Sequence, residues 1–269
     1  MRSVGGIKQY QPLMLSTSNA VLDVLDRNVM SYLEKNVLQE ARLACEAIFV
    51  GGSYAKGYFD QYSDIDLTLV VRHPESVLPL CCQTFSAVQY GYHAVEDSEA
   101  DNVDLRVMDF DYLIELIRNF SIAKDIRSSH LDTLCNVKHG VYLYESVAHE
   151  EQRTKIIFDM THCVNVMRRY KDAIFIPCVR KYFERNHFYA VFETLGLSYA
   201  AFCHIFYAVN GSLFQGYSKL ERHAHDFKIY PSSIIALYRH CYADPCVNVF
   251  EELNDALHGF IRSIESHLS

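Results

Sequence analysis

The apolar positions of this chain change period several times in its first half and settle to a helical period in its second. Ala47–Val50 is a short continuous apolar run, which predicts a buried strand ending at Gly51-Gly52. Asp64–Val71 (DIDLTLVV) alternates acid and apolar before turning fully apolar, and predicts a second strand. Residues two apart on a strand share a face, so Asp64 and Asp66 point one way while Ile65 and Leu67 point into the core. Ahead of these runs, Ser16–Glu40 carries Val21, Leu22, Val24, Leu25, Val29, Leu33 and Val37 at helical spacing, with Ser18 or Asn19 as its cap. Behind them, His73-Pro74 ends the strand and a helix is predicted from Pro74 to Ala87. Val88–Val95 (VQYGYHAV) reads as one strand, and the acidic segment from Glu96 to Asn102 as a loop. Val103–Met108 (VDLRVM) is a further strand, with Asp104 and Arg106 on one face and Val103, Leu105 and Val107 on the other.

From Asp111 onward the period is helical, beginning with Tyr112, Leu113, Leu116 and Ile117. Residues 125–150 include a short connection, with GVYLYES at 140–146. Helices are then predicted at about 150–172, from 178 to 210 with a break, at 218–227, and at 231–267 with an interruption near Pro245. Tyr199, Phe202, Phe206 and Val209 recur on one helical face. The expected architecture is an α+β domain over residues 1–148, with flanking helices on its sheet, followed by an all-α bundle over 149–269.

The chemistry lies between the first two strands. Gly51 and Gly52 carry no Cβ, so the backbone can turn sharply and approach a ligand closely. Ser53 follows at the start of a short helix, where its hydroxyl and the free N–H groups suit a phosphate. Asp64 and Asp66 repel each other unless a cation sits between them, so neutralising one acid is expected to relieve the metal-free fold. A divalent ion such as Mg²⁺ takes carboxylate and phosphate oxygens. Lys56 in the turn can neutralise phosphate charge, and Ser63 can bond a phosphate or end the turn. Asp104 alternates with apolar residues as Asp64 and Asp66 do, and is favoured as a third carboxylate over Asp109.

The string GSYAKGYFDQYSDIDL, with Gly52-Ser53, residues 54–63, then Asp64-Ile65-Asp66-Leu67, resembles the signature of the nucleotidyltransferase superfamily that includes DNA polymerase β. It is most similar to the bacterial small-molecule branch, the aminoglycoside and lincosamide nucleotidyltransferases. The resemblance implies a polymerase β-like mixed sheet and a helical domain that binds substrate or nucleotide. It implies two Mg²⁺ ions held by Asp64, Asp66 and Asp104, with ATP as the expected NTP. Gly52 and Ser53 would hold the β- and γ-phosphates. Asn210–Leu220 (NGSLFQGYSKL) resembles a phosphate-contacting segment of that helical domain, with Lys219 as the residue of interest. The family form has a proline before that glycine and a tryptophan after the lysine, and here Gln215 and Leu220 stand instead.

Composition narrows the acceptor. The net charge is −8 and the pI about 5.9, which disfavours a nucleic-acid backbone as main partner and suits a cationic small molecule. Glu96, Asp97, Glu99 and Asp101 cluster ahead of the strand of Asp104. A protein or RNA acceptor is the second reading, and a degenerate nucleotide-binding scaffold the third. No stretch has the apolar length of a membrane span or the pattern of a signal peptide. Nine cysteines without a CxxC pair suggest a reduced, cytoplasmic protein with buried thiols. The oligomeric state stays open, a homodimer included.

Overall fold

A computed structural model describes residues 45–56, 65–74, 87–89, 92–96, 103–122, 127–217, 220 and 227–268. The predicted helices at Ser16–Glu40, Pro74–Ala87 and 218–227 lie outside these residues or almost entirely so. By contact density the chain divides into two units. One comprises Met1–Arg118 with Asn136–Lys155, the other Asn119–Cys135 with Ile156–Ser269.

The first unit is built on a six-stranded mixed sheet. Its strands are β1 (Cys45–Val50), β2 (Ile65–Val71), β3 (Ala87–Gln89), β4 (Tyr92–Glu96), β5 (Val103–Asp109) and β6 (Val141–Glu145). Their order across the sheet is β3-β4-β5-β2-β1-β6. Only β2 and β5 run parallel; the other neighbours are antiparallel. Ile48, Phe49, Val50, Leu67, Leu69, Val70, Val71, Val107 and Met108 are all buried. The central strands thus read as near-continuous apolar runs because both of their faces are covered.

Two details depart from the sequence reading. The run 88–95 is two strands rather than one: Gln89 pairs with Tyr92 in an antiparallel hairpin. The same hairpin carries Glu96 into β4, where it is the register partner of Asp104. The short helix α1 (Gly52–Ala55) follows β1, as expected. The helical stretch expected from Asp111 holds two helices, α2 (Phe110–Ser121) and α3 (Ser128–His139). The apolar residues of α3, Leu131, Leu134, Cys135 and Val137, are buried but interleaved with polar ones, so its period is faint. Gly140 ends that helix where a Cβ would meet the Phe49 ring at 2.6 Å and the Asn136 carbonyl at 2.8 Å. Strand β6 then lies along β1, and α4 (Val147–Arg153) closes the unit.

The second unit is helical: α5 (Met160–Tyr170), α6 (Val179–Glu184), α7 (Phe188–Val209), α8 (Ser232–Ala243) and α9 (Val247–Leu268). The expected break before 210 falls at Asn186, whose φ is +57°, and the expected interruption near Pro245 separates α8 from α9. The helix predicted at 150–172 is divided, because Asp159 caps a new start: its carboxylate accepts from the His162 N–H at 3.1 Å. Helix α7 is the centre of this unit, with every residue from Ala201 to Ala208 buried. A helix that is apolar all round needs partners on all sides, and α5, α6 and α8 pack on it. The seven described cysteines are all free, and five are buried. No described helix is long and apolar enough to cross a membrane.

Candidate functional site

The site is assembled at the end of β1, where the glycine turn meets β2. The Gly51 N–H donates to the Asp66 carbonyl at 2.8 Å, extending the β1–β2 ladder into the turn. The Ala55 N–H reaches back to the Gly51 carbonyl at 3.2 Å and closes α1. Gly52 lies at φ +57°, a region that side-chain-bearing residues rarely enter. A Cβ there would stand 1.7 Å from Asp66 Oδ2 and 2.7 Å from its Cγ. The turn therefore needs glycine for two reasons, its backbone conformation and the seat it leaves for the Asp66 carboxylate.

Asp66 is set among several charged positions. The parallel register pairs it with Asp104 on β5, and Asp104 in turn pairs with Glu96 on β4. Three acids thus occupy one row across β2, β5 and β4. Arg106, two residues beyond Asp104, sends Nη2 to Asp66 Oδ1 at 2.5 Å, and both side chains are sheltered, with 25% and 14% exposure. The expectation that neutralising Asp66 relieves the metal-free fold is therefore corrected: its charge already has a cationic partner. Asp109, the rival third acid, is engaged elsewhere. Its carboxylate accepts from the N–H groups of Asp111 at 2.7 Å and Tyr112 at 3.3 Å, capping α2.

The far side of the turn meets α3. Asn136 Oδ1 accepts the Gly52 N–H at 3.1 Å, across 84 residues of sequence. The side chain of Asn136 also lies 3.4 Å from where a Gly51 Cβ would be. Lys56 follows α1 directly, and α3 ends in Lys138 and His139. Burial, then the charges of Lys138 and Lys56, hold the His139 imidazole below its ordinary pKa. Positive charge therefore gathers beside the turn while the acids occupy the β2–β5 row.

Of the eight candidate residues, Gly52 and Asp66 are in contact, Asp104 stands beside Asp66 in register, and Ser53 and Lys56 lie on or just after α1. Asp64, Ser63 and Lys219 lie outside the described residues, and Asp104 is described by its backbone. Among the described residues no group of three metal-ligating side chains comes together. Sequence reasoning missed the partner of Arg106, though its two-residue spacing from Asp104 signalled a cation on the acidic face. It had no signal for Asn136.

A glycine turn seated against an aspartate, with a second acid in register on a parallel neighbour, is the pattern to compare with known proteins. Residues 32–134 match the nucleotidyltransferase domain. That span takes in β1 to β5, the glycine turn, Asp64, Asp66 and Asp104, and most of α3. The nucleotidyltransferase domain match supports a transferase whose general chemistry is nucleotidyl transfer and whose substrate is an NTP. A solved nucleotidyltransferase-like protein from Exiguobacterium sibiricum is 15% identical, with 90% of this chain and 75% of that chain covered, at a TM-score of 0.36. No curated protein matches the sequence.

Proposed function

We propose that this chain transfers a nucleoside monophosphate from an NTP, with ATP as the expected donor, to a hydroxyl of a small cationic acceptor. The observation that carries the reading is the β2–β5 register, with Asp66 beside Asp104 and the Gly52 turn seated on Asp66. The donor set fits a hard divalent cation. It consists of carboxylate oxygens, and Asp66 already holds a positive partner in Arg106. Asp64, Asp66 and Asp104 would hold Mg²⁺, which when bound neutralises triphosphate charge and makes an acceptor hydroxyl easier to deprotonate.

The protein's own residues bind and orient. Gly52 leaves room for the Asp66 carboxylate. Since the Gly52 N–H is given to Asn136, the phosphates fall to Ser53, with Lys56 supplying positive charge and Lys219 and Ser63 as further contacts. The acceptor oxygen attacks the α-phosphorus in line. The α–β anhydride bond breaks, pyrophosphate leaves and the hydroxyl proton passes to solvent or a base. Most of the acceleration comes from positioning and from charge neutralisation. The small cationic acceptor rests on the net charge of −8 and on the motif's likeness to the antibiotic-modifying branch.

The test is to incubate the protein with acceptor libraries, each of the four NTPs and Mg²⁺, and to find the added monophosphate by mass spectrometry. Asp66→Asn should abolish transfer while the protein stays folded. An NTP with Mg²⁺ at about 100 times its Kd should stabilise the fold by roughly 2.7 kcal/mol. NTP with EDTA should do so much less. Equal shifts with and without metal, or near-normal turnover in the variant, would remove the aspartates from the role given to them.

A further inference from the structure

We propose that Asn136 is a positioning residue for nucleotide binding, holding the Gly51-Gly52 turn in the orientation that presents Ser53 to the phosphates. The proposal rests on the nucleotidyl-transfer reading. It concerns a residue two positions beyond the family-matched span, which ends at residue 134.

A Gly-Gly pair has wide backbone freedom, and within the turn only the Ala55 N–H, reaching back to the Gly51 carbonyl, restrains it. Two further hydrogen bonds, from outside the turn, fix it here. The Gly51 N–H is tied to the Asp66 carbonyl and the Gly52 N–H to Asn136 Oδ1. The first belongs to the sheet ladder, so it sets where the turn begins. The second comes from another element and acts at the positive-φ residue itself, so it sets the direction in which α1 leaves. Ser53 is the next residue, and the peptide plane that Asn136 holds is the one that precedes it by a single residue.

The anchor is itself rigid. Asn136 sits in the last turn of α3, and the neighbouring Val137 is fully buried. The Tyr142 hydroxyl on β6 donates to the Val137 carbonyl. Gly140 lets the chain turn into β6 at a distance from Phe49 and the Asn136 carbonyl that no side chain would permit. Strand β6 is in turn paired with β1, the strand that leads into the glycine turn. The Asn136 amide is thus fastened to the same strand whose end it orients, and the loop of restraint closes on itself.

The experiment uses the full chain labelled with ¹⁵N-glycine, which gives 11 glycine positions. Amide exchange at Gly52 is measured in the wild type, Asn136→Ala and Asn136→Asp, and the affinity for each NTP with Mg²⁺ in the wild type and Asn136→Ala. In Asn136→Ala the Gly52 amide should exchange about tenfold faster, with the helical Gly196 and Gly259 amides unchanged, as expected for loss of one hydrogen bond. Asn136→Asp keeps an acceptor oxygen and should restore Gly52 protection. The Mg–NTP affinity of Asn136→Ala should fall about tenfold. Unchanged Gly52 exchange in Asn136→Ala overturns the proposal whatever the nucleotide result. Faster exchange with unchanged affinity also overturns it, by making the bond purely structural. A wild type that binds no NTP removes the proposed function and this role with it, and is told apart because the exchange data still report the hydrogen bond.

Discussion

Gly52 and Asp66 occupy each other's space, and that sets what can be changed at either. Gly52→Ala would put a methyl group 1.7 Å from a carboxylate oxygen and force an L side chain to φ +57°. The backbone conformation alone costs about 1–2 kcal/mol, and Asp66 must also move. The expected result is a lowered melting temperature together with loss of nucleotide binding. Gly52→Ala combined with Asp66→Ala, which leaves only the Asp66 Cβ at 3.2 Å, should regain the part of the stability lost to the clash but not the part lost to the backbone, and not binding. Arg106 is the second residue whose role follows from a single contact. Arg106→Gln removes the guanidinium from Asp66 and should destabilise the metal-free protein by about 1–3 kcal/mol, the range for a sheltered charged hydrogen bond left unmade. With that competitor gone, calorimetric titration should find tighter Mg²⁺ binding than in the wild type. Unchanged affinity would mean that the cation and Arg106 do not share the carboxylate. The acids, the glycine turn and their two-residue spacing were all legible in the sequence. The Asp66–Arg106 pair was not, because it crosses between strands and register is invisible until the strands are paired.

At the scale of elements, legibility followed how cleanly the apolar period was written. Strand β2 and helix α7 were plain, one by alternation and the other by the helical recurrence of Tyr199, Phe202, Phe206 and Val209. Strands β3 and β4 merged in the reading because VQYGYHAV carries a single turn-favouring residue, Gly91, in its sequence. Helix α3 fell in the helical stretch from Asp111 but was given no bounds, because Leu131, Leu134, Cys135 and Val137 are interleaved with polar residues. Helix α7 also shows how one polar group can tie elements together. The buried Ser198 hydroxyl meets the Ile174 carbonyl on one side and the Tyr238 hydroxyl on α8 at 2.6 Å on the other. Ser198→Ala would leave two buried polar groups short of a partner and should cost about 1–3 kcal/mol, read from the urea midpoint. Tyr238→Phe together with Ser198→Ala should cost less than the two changes separately, because both remove the same bond.

At the scale of the whole molecule, a first pH response lies in the helical unit. His204 is buried between Tyr170, at a ring distance of 4.3 Å, and Phe214, at 4.0 Å. Burial, helped by the charge of Arg169, pushes its pKa down to about 4. The unfolded imidazole keeps its ordinary value near 6.5, so between these values the unfolded chain binds the extra proton. Stability is therefore full above about 6.5 and falls as pH drops toward about 4, by roughly 3 kcal/mol at most. Urea midpoints measured from pH 7 to 4.5 should slope downward in the wild type and stay flatter in His204→Phe, which keeps the ring stack; equal slopes would assign the effect elsewhere. Glu145 adds a separate loss at lower pH. Burial acts to raise its pKa, but hydrogen bonds from His149 and Arg153 outweigh that and lower it, so its contribution is lost only as pH falls below the ordinary glutamate range. In the sheet unit, β1 and β2 pair with each other, and β3 and β4 form a hairpin of their own. Strand β5 is the piece that enters between β4 and β2 and fuses the two pairs. The same pairing brings Asp104 beside Asp66, so the seam that joins the two pairs is also the seam that forms the site. Anything that binds between the two acids therefore pulls on that seam itself, and should slow chain opening along the whole β2–β5 seam rather than at the glycine turn alone.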